Sequence, residues 1–137
     1  MSNLIPYSTQ SITDSDIQAV TQVLKSPYLT QGPKIEEFES AIARYVGAEF
    51  CVAFSNATAA LHCTMLASKT LFGIDRVVTS PNTFVATSNA ALYCGIQVQF
   101  SDVDPKTGNL DLNCLGQKYD QNTAIAPVHF SGLACEL

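Results

Sequence analysis

Four consecutive small or polar residues stand where a short apolar run gives way to a helical pattern. They read Ser-Asn-Ala-Thr at positions 55–58, between the apolar run at residues 50–54 and a helical run that begins at Ala59. Small side chains let an anion approach the free N–H groups at a helix start, where the helix dipole also favours negative charge. The segment therefore predicts a phosphate cup, with the Thr58 hydroxyl as a further donor. Ser, Asn and Thr are also ordinary helix caps, and the segment alone leaves that alternative open.

Phe84 is a second candidate, because it directly follows the polar turn at residues 80–83 that ends a predicted strand. An aromatic ring at the carboxyl end of a strand can stack on a flat cofactor ring. An aromatic residue that opens a helix can equally pack in the core. The residue by itself favours the core.

Two acids and two histidines are the remaining candidates for acid–base or metal chemistry. Asp102 and Asp104 bracket Val103, and in an extended segment they would point to opposite sides, so turn capping is favoured over catalysis. His62 falls within the helix after the cup, on its surface or in the core. His129 ends the last predicted strand, where it could act as a base. Neither histidine has a second metal ligand at a useful spacing, which disfavours zinc.

Several common catalytic and nucleotide-binding motifs are missing from the sequence. It contains no GxSxG nucleophile elbow, no GxGxxG fingerprint and no GxxxxGK[ST] phosphate loop. The candidate cup must therefore be judged by the elements around it.

The first elements in the chain are two predicted helices. One begins near Ile12, with Thr13 as cap and Asp16 three residues on, and ends before Pro27. The other begins at Pro33 after a turn at residues 28–32 and is closed by Gly47. Its apolar side chains are predicted to face inward, and they are Ile35, Phe38, Ile42 and Val46.

Strands and helices alternate through the rest of the chain. The apolar run at residues 50–54 predicts a strand buried on both faces, and further strands are predicted at residues 77–79, 97–100 and 123–128. Helices are predicted from Ala59 to about Leu66, from Phe84 to Tyr93 and after Asp111. This alternation predicts a parallel or mixed sheet covered by helices, with function at the carboxyl ends of its strands.

Composition excludes several classes of function. The chain has 137 residues, 47% hydrophobic and 14% charged, with a net charge of -5 and scattered basic residues. This balance is typical of one globular domain and disfavours nucleic-acid binding. Residues 1–6 resemble no signal peptide, and no run reaches transmembrane length, so we expect a soluble, cytoplasmic protein.

Five widely spaced cysteines match neither a disulfide framework nor a zinc site. We expect them to be buried thiols in a reducing compartment. They are Cys51, Cys63, Cys94, Cys114 and Cys135.

Five segments together resemble one family in their order and spacing. The family is the pyridoxal-phosphate (PLP) sugar aminotransferases of the DegT/DnrJ/EryC1/StrS type, which aminate nucleotide-linked keto-sugars. The resemblance runs from Ile5 to Gly132 and is strongest to the branch that makes the 4-amino sugar precursor of pseudaminic acid. The segments are Ile-Pro-Tyr at 5–7, Leu-Thr-Gln-Gly-Pro at 29–33, Ser-Asn-Ala-Thr-Ala-Ala-Leu-His at 55–62, Pro-Asn-Thr-Phe-Val-Ala-Thr at 81–87 and Asp-Val-Asp-Pro at 102–105; Pro-Val-His-Phe-Ser-Gly at 127–132 extends the match.

The resemblance implies an α/β fold, the three-layer large domain of fold type I PLP-dependent transferases, with a mixed, mostly parallel sheet. It also implies a homodimer. On this basis Ala57 and Thr58 hold the cofactor phosphate and Phe84 stacks on the pyridine ring. The residues that line the sugar-nucleotide site would be Tyr7, Tyr28, Leu29, Thr30 and Asn56.

Transamination also needs a lysine that forms a Schiff base with the cofactor and an acid beside the pyridine nitrogen. The resemblance places both downstream of residues 129–132, beyond Leu137, so the chain is expected to be a truncated large domain with no catalytic residue of its own. We expect residues 1–32 to supply an N-terminal helix and substrate-side loop, and residues 33–137 to supply the first part of the PLP-binding domain.

Three functions fit these observations. The leading hypothesis is transamination of a nucleotide-linked 4-keto-6-deoxy sugar, UDP-linked and with glutamate as donor, by the full-length protein. The second is a non-catalytic α/β module that binds a phosphate ligand or a partner. The third is a small α/β enzyme that uses His129 as a base.

Overall fold

The computed structural model describes residue 6, residues 8–116 and residues 119–136. The chain divides into two compact units, Met1–Ala53 and Phe54–Leu137. The first unit is helical, and the second contains the sheet. The sequence analysis divided the chain after residue 32 by expected function, whereas these units are defined by their contacts. The functional division stays a prediction.

Two helices make up the first unit, α1 (Asp14–Leu24) and α2 (Pro33–Val46). A capping box starts α1: the Asp16 N–H donates to Thr13 Oγ1 over 3.4 Å, and Asp16 Oδ2 accepts from the Thr13 N–H over 2.7 Å. Pro33 occupies the start of α2, and Gly47, in the left-handed region at φ 72°, ends it. Both predicted helices are confirmed.

The prediction that the apolar side chains of α2 face inward is wrong. Phe38 is 55% exposed, the other apolar residues of that face are exposed too, and only Ala43 of the helix is buried. The physical reason is the size of the unit, since two helices offer each other little surface to cover.

The predicted strand at residues 50–54 is not formed. Phe50 and Val52 are 78% and 67% exposed, and none of the described strands pairs with this segment. The Ala53 N–H donates instead to Glu39 Oε1 over 2.7 Å. A continuous apolar run predicts burial, but a strand exists only where a neighbouring backbone can pair with it.

Three parallel strands form the sheet of the second unit, in the order β2-β1-β3. The two neighbours of β1 in the sheet come after it in the chain, so each is reached by a crossover connection. The elements are α3 (Ala57–Phe72), β1 (Arg76–Thr79), α4 (Ala86–Tyr93), β2 (Gln97–Phe100) and β3 (Thr123–Ala126).

The helix predicted after Asp111 is a single 3-10 turn, Leu112–Cys114. Asp111 caps it by accepting from the Asn113 N–H over 2.9 Å. Gly116 follows in the left-handed region at φ 61°, which ends helical geometry within one turn. A second 3-10 turn, Phe130–Gly132, follows β3.

The core lies on both faces of β1, whose Val77 and Val78 are 0% and 3% exposed. Because neighbouring residues of a strand point to opposite faces, these two valines enter different clusters. Val78 packs with Leu110 and Leu115. The Val77 cluster joins α3, α4 and β2, and it contains Met65, Ile74, Val77, Ala90, Ala91 and Ile96.

Candidate functional site

The start of α3 has the properties of an anion site. Asn56 caps the helix, because its Oδ1 accepts from the Ala59 N–H over 2.9 Å. The N–H groups of Ala57 and Thr58 have no hydrogen-bond partner among the described residues, and both residues are exposed. Two unpaired donors at the positive end of a 16-residue helix can bind a phosphate. Capping and anion binding are therefore compatible here, each using different N–H groups.

This helix start lies toward the carboxyl ends of the strands. Only residues 73–75 connect α3 to β1, and Leu61 and Met65 of α3 pack in the same cluster as Val77. A helix joined to a strand by so short a loop and packed against it must run antiparallel to it. The start of α3 and the loop that follows β1 are thus at the same edge of the sheet.

Phe84 is in that loop and is 76% exposed, so the core alternative is wrong. Its carbonyl accepts from the Thr87 N–H over 3.1 Å, which ties the residue to the start of α4. The hydroxyl groups of Thr83 and Thr87 lie 2.8 Å apart and hold the same turn. An exposed ring on an anchored backbone is available to stack on a planar ligand.

Asp104 caps a turn, as predicted for the pair of acids. Its Oδ1 accepts from the Lys106 N–H over 2.6 Å, and its carbonyl accepts from the Gly108 N–H over 2.8 Å. The Oδ1 atom of Asp102 accepts a hydrogen bond from the Val103 N–H over 2.8 Å. Both carboxylates are used in local turn geometry.

The two histidines have structural partners. His62 is exposed on α3 and meets Tyr93 edge to face, with ring centroids 5.8 Å apart. His129 accepts the Cys135 N–H at Nδ1 over 3.0 Å. A neutral imidazole that accepts at Nδ1 carries its proton on Nε2 and donates there. This geometry disfavours His129 as a base.

Asn82 and Asn109 connect the loops at the carboxyl edge, and the sequence analysis assigned no role to either of them. Asn82 Nδ2 donates to the Gly108 carbonyl over 3.3 Å, and Asn109 bonds three backbone groups of residues 130–134. Asn109 stands in a turn-forming stretch, where asparagine is common. Only its burial, at 5% exposed, distinguishes it, and burial depends on the fold.

The predicted substrate-side residues belong to the first unit, apart from Asn56. Tyr28, Leu29 and Thr30 are exposed, and Tyr28 accepts from the Ser26 hydroxyl at its carbonyl over 3.0 Å. Tyr7 lies outside the described residues. Their contact with a sugar nucleotide stays a prediction.

No described cysteine is buried, so the expectation of buried thiols is wrong. Cys63 and Cys114 are exposed and the other three are intermediate, all of them free. Asp111 accepts from the Cys114 thiol, and this hydrogen bond raises the pKa of that thiol.

Over the part of the chain that the structure describes, no group of three or more His, Cys, Asp or Glu could hold a metal ion. None of the described helices has both the length and the apolarity to span a membrane.

Residues 10–137 match the model of the DegT/DnrJ/EryC1/StrS aminotransferase family. The chain belongs to this family. The resemblance inferred from the sequence is thereby confirmed.

Two curated relatives show how much of a family member the chain represents. It is 39% identical over 136 residues to the spore coat polysaccharide biosynthesis protein SpsC of Bacillus subtilis (strain 168), covering 98% of this chain and 35% of the relative. It is 40% identical over 140 residues to the UDP-4-amino-4,6-dideoxy-N-acetyl-beta-L-altrosamine transaminase of Campylobacter jejuni (serotype O:23/36, strain 81-176), covering 98% and 36%. The chain spans about a third of the length of these relatives.

Solved structures of family members have the same fold. Helicobacter pylori PseC, an aminotransferase involved in the biosynthesis of pseudoaminic acid, matches with a TM-score of 0.84 and 30% identity over 96% of this chain and 36% of its own. The Spr1654 protein of Streptococcus pneumoniae in its PLP form matches with a TM-score of 0.85 and 29% identity over 96% and 34%. The predicted α/β fold of the PLP-dependent transferases is confirmed, with a parallel sheet in the part present.

Proposed function

We propose that the full-length protein is a PLP-dependent aminotransferase that acts on a nucleotide-linked 4-keto-6-deoxy sugar, with UDP as the nucleotide and glutamate as the amino donor. The observation that carries the proposal is the start of α3, where the N–H groups of Ala57 and Thr58 are unpaired among the described residues. Family membership supports the reaction type. The altrosamine transaminase among the relatives supports the UDP-linked sugar.

The residues present fit pyridoxal phosphate. The two free N–H groups and the Thr58 hydroxyl would hold the phosphate, and the exposed Phe84 ring would cover one face of the pyridine. When bound, this cofactor supplies the electron sink that stabilises charge at the carbon from which the proton is removed. The proposed role of this chain is therefore to bind the cofactor and to orient it.

Proton transfer and covalent attachment need a lysine amine, and no lysine among the described residues is hydrogen-bonded to the cup at residues 55–58. Lys69, the lysine within α3, donates to the carbonyls of Cys94 and Gly95 over 2.6 and 3.3 Å. It lies twelve residues after Ala57, roughly 18 Å along the helix. We propose that the lysine and the acid beside the pyridine nitrogen come from the part of the protein after Leu137.

The substrate side is proposed to consist of Tyr7, Tyr28, Leu29, Thr30 and Asn56. Asn56 already uses its Oδ1 as a cap and its Nδ2 to donate to Ser55 Oγ over 3.2 Å, so its contact to the sugar would require a change of partner. We further propose a cytoplasmic homodimer, in keeping with the family resemblance and with the exposed apolar residues of the chain.

The direct test is an assay of the full-length protein with PLP, glutamate and a UDP-linked 4-keto-6-deoxy sugar. We expect 2-oxoglutarate to form together with a nucleotide sugar whose mass is that of the amine. A dTDP-linked 4-keto sugar and a reaction without sugar are the controls. PLP binding without turnover on any nucleotide-linked keto-sugar would instead support the non-catalytic binding module.

Phe84 offers a variant test of the cofactor site. Phe84→Leu is expected to weaken PLP affinity about tenfold, because the stacking surface is lost, while Phe84→Tyr keeps the ring and the affinity. Stability should change little in both variants, since the side chain is 76% exposed. Equal PLP affinity of Phe84→Leu and the wild type, measured by fluorescence titration, would contradict the stacking role.

A further inference from the structure

The side chain of Asn109 forms three hydrogen bonds to backbone groups at the carboxyl edge of the sheet. It is 5% exposed. Its Oδ1 accepts from the Phe130 N–H over 2.8 Å, and its Nδ2 donates to the carbonyls of Leu133 and Ala134 over 3.0 and 3.2 Å. An amide side chain that pairs with a distant backbone segment at three points acts as a template for that segment.

The segment it holds has an uncommon backbone conformation. Ser131 and Gly132 lie consecutively in the left-handed region, at φ 54° and 82°. A non-glycine residue is strained in this region and persists there where surrounding contacts determine its conformation. The three bonds from Asn109 enclose both residues and are such contacts.

The same segment orients the imidazole of His129. Cys135 follows the held residues directly, and its N–H donates to His129 Nδ1 over 3.0 Å. The ring orientation therefore depends on the path of residues 130–134. With Nδ1 occupied, Nε2 carries the proton and has no acceptor among the described residues.

Asn109 also connects this segment to the loop that bears Phe84. Its neighbour Gly108 accepts from Asn82 Nδ2 over 3.3 Å. A Cβ at Gly108 would come within 2.8 Å of the Phe130 ring, so the two loops approach as closely as glycine allows. The loops after β1, β2 and β3 are joined at one place.

We propose that Asn109 is a positioning residue that makes His129 a fixed Nε2–H donor toward an acceptor oxygen of the molecule bound at this edge. The inference rests on the proposed function, which places PLP and a sugar nucleotide there. Both molecules carry acceptor oxygens, and separate binding measurements distinguish them.

The first test is the tautomer of His129, read from its imidazole nitrogens by long-range proton–nitrogen NMR of the full-length protein labelled with ¹⁵N-histidine. The wild type is expected to show the Nε2–H form, and Asn109→Ala a mixture of both tautomers. Asn113→Ala, which alters an exposed asparagine of the same region, is the control and should leave the signal unchanged. An Nδ1–H form in the wild type would overturn the proposal, even if Asn109→Ala failed to fold.

The second test is binding, with PLP and with the UDP-linked sugar titrated separately. His129→Ala is expected to weaken one of the two about tenfold, the effect of one lost hydrogen bond. His129→Gln, whose amide can donate from near the Nε2 position, should recover most of the affinity, and His129→Asn should not.

The results separate this inference from the proposed function. If the wild type transaminates and His129→Ala binds both molecules normally, the donor role is wrong and the proposed function stands. If the wild type does not transaminate, the proposed function fails, and the NMR result still decides whether Asn109 sets the tautomer.

Discussion

Asn56 contributes to the helix start and to the proposed phosphate site through different atoms. Its Oδ1 accepts from the Ala59 N–H, while the N–H groups of Ala57 and Thr58 are left for a ligand. An aspartate would cap equally well but would bring a negative charge beside the phosphate. Capping and ligand binding can therefore be separated by one substitution.

We predict that Asn56→Asp keeps the free energy of unfolding near that of the wild type and weakens PLP binding at least about tenfold. Asn56→Ala should lose about 1 kcal/mol of stability, and Asn56→Ser should retain both properties. Urea unfolding and PLP titration measure the two effects. Undiminished PLP binding by Asn56→Asp would place the phosphate elsewhere.

Asp120 makes the turn into β3 sensitive to acid. The Thr123 hydroxyl donates to its Oδ1 over 2.9 Å, and the Asn122 N–H donates to the same oxygen over 3.0 Å. These bonds, that from Thr123 foremost, hold the pKa of Asp120 below its ordinary value. A carboxyl group whose pKa is lowered by folding stabilises the fold above its unfolded pKa and loses that contribution as the pH falls through the folded pKa.

We therefore expect Asp120→Asn to be less stable than the wild type at pH 7. The difference should shrink as the pH falls below about 4 and vanish once the folded-state carboxylate is protonated. Thr123→Val removes the largest cause of the shift and should flatten the pH dependence in the same window. Urea unfolding across pH checks this, and a difference that is constant down to pH 2 would contradict it.

The role of a single residue could be predicted from the sequence where its side chain bonds groups close to it in the chain. Thr13, Asp104 and Asn56 bond groups within three residues of themselves, and such patterns can be read locally. Asn109 bonds groups 21 to 25 residues away, and those partners exist only after β3 has joined the sheet. The residue type of Phe84 favoured the core, which is wrong, because exposure is a property of the folded chain.

Local patterns predicted the helices α1 and α2 and the strands β1, β2 and β3, but the strand at residues 50–54 was wrong. The capping residues of α1 and α2 are local signals, whereas the run at residues 50–54 has strand composition but no described strand to pair with. Strand formation depends on a distant partner, which hydrophobic pattern does not specify.

Alanines in α4 let the helix approach the sheet closely. Ala90 and Ala91 are fully buried in the cluster with Val77 and Ile96. Protein interiors are packed too densely to accept three extra carbons without displacement.

We predict that Ala90→Leu destabilises the protein by about 1–3 kcal/mol, as typical overpacking does. Ala67→Leu is the matched control, because Ala67 is an exposed helical alanine on α3, and it should stay within about 0.5 kcal/mol of the wild type. Thermal or urea unfolding of both variants provides the comparison. Equal stabilities would mean that the α4 contact with the sheet is looser than the burial indicates.

Many large apolar side chains are exposed to solvent among the described residues. Phe50, Val52 and Phe54 are 78%, 67% and 43% exposed within five residues. An exposed apolar segment that pairs with none of the described strands is a candidate surface for association. This surface supports the proposed homodimer.

We predict that residues 1–137 alone self-associate at micromolar concentration, as measured by sedimentation velocity. The double variant Phe50→Lys and Val52→Lys should weaken association at least about tenfold, because charge opposes strand pairing at an edge. Ala67→Lys is the control for added charge. A monomer at all concentrations would show that the exposed segment does not drive association.

The strand order β2-β1-β3 has a consequence for how the chain acquires its structure. β1 pairs with β2 across about twenty residues and with β3 across 47, as the bond from Thr79 Oγ1 to the Ala126 carbonyl shows. The entropic cost of loop closure increases with the separation, so contacts between distant residues form late. We expect α3, β1, α4 and β2 to assemble first. The loops joined through Asn109 would then be completed only when the last strand docks, after the helix that carries the proposed phosphate cup is already in place.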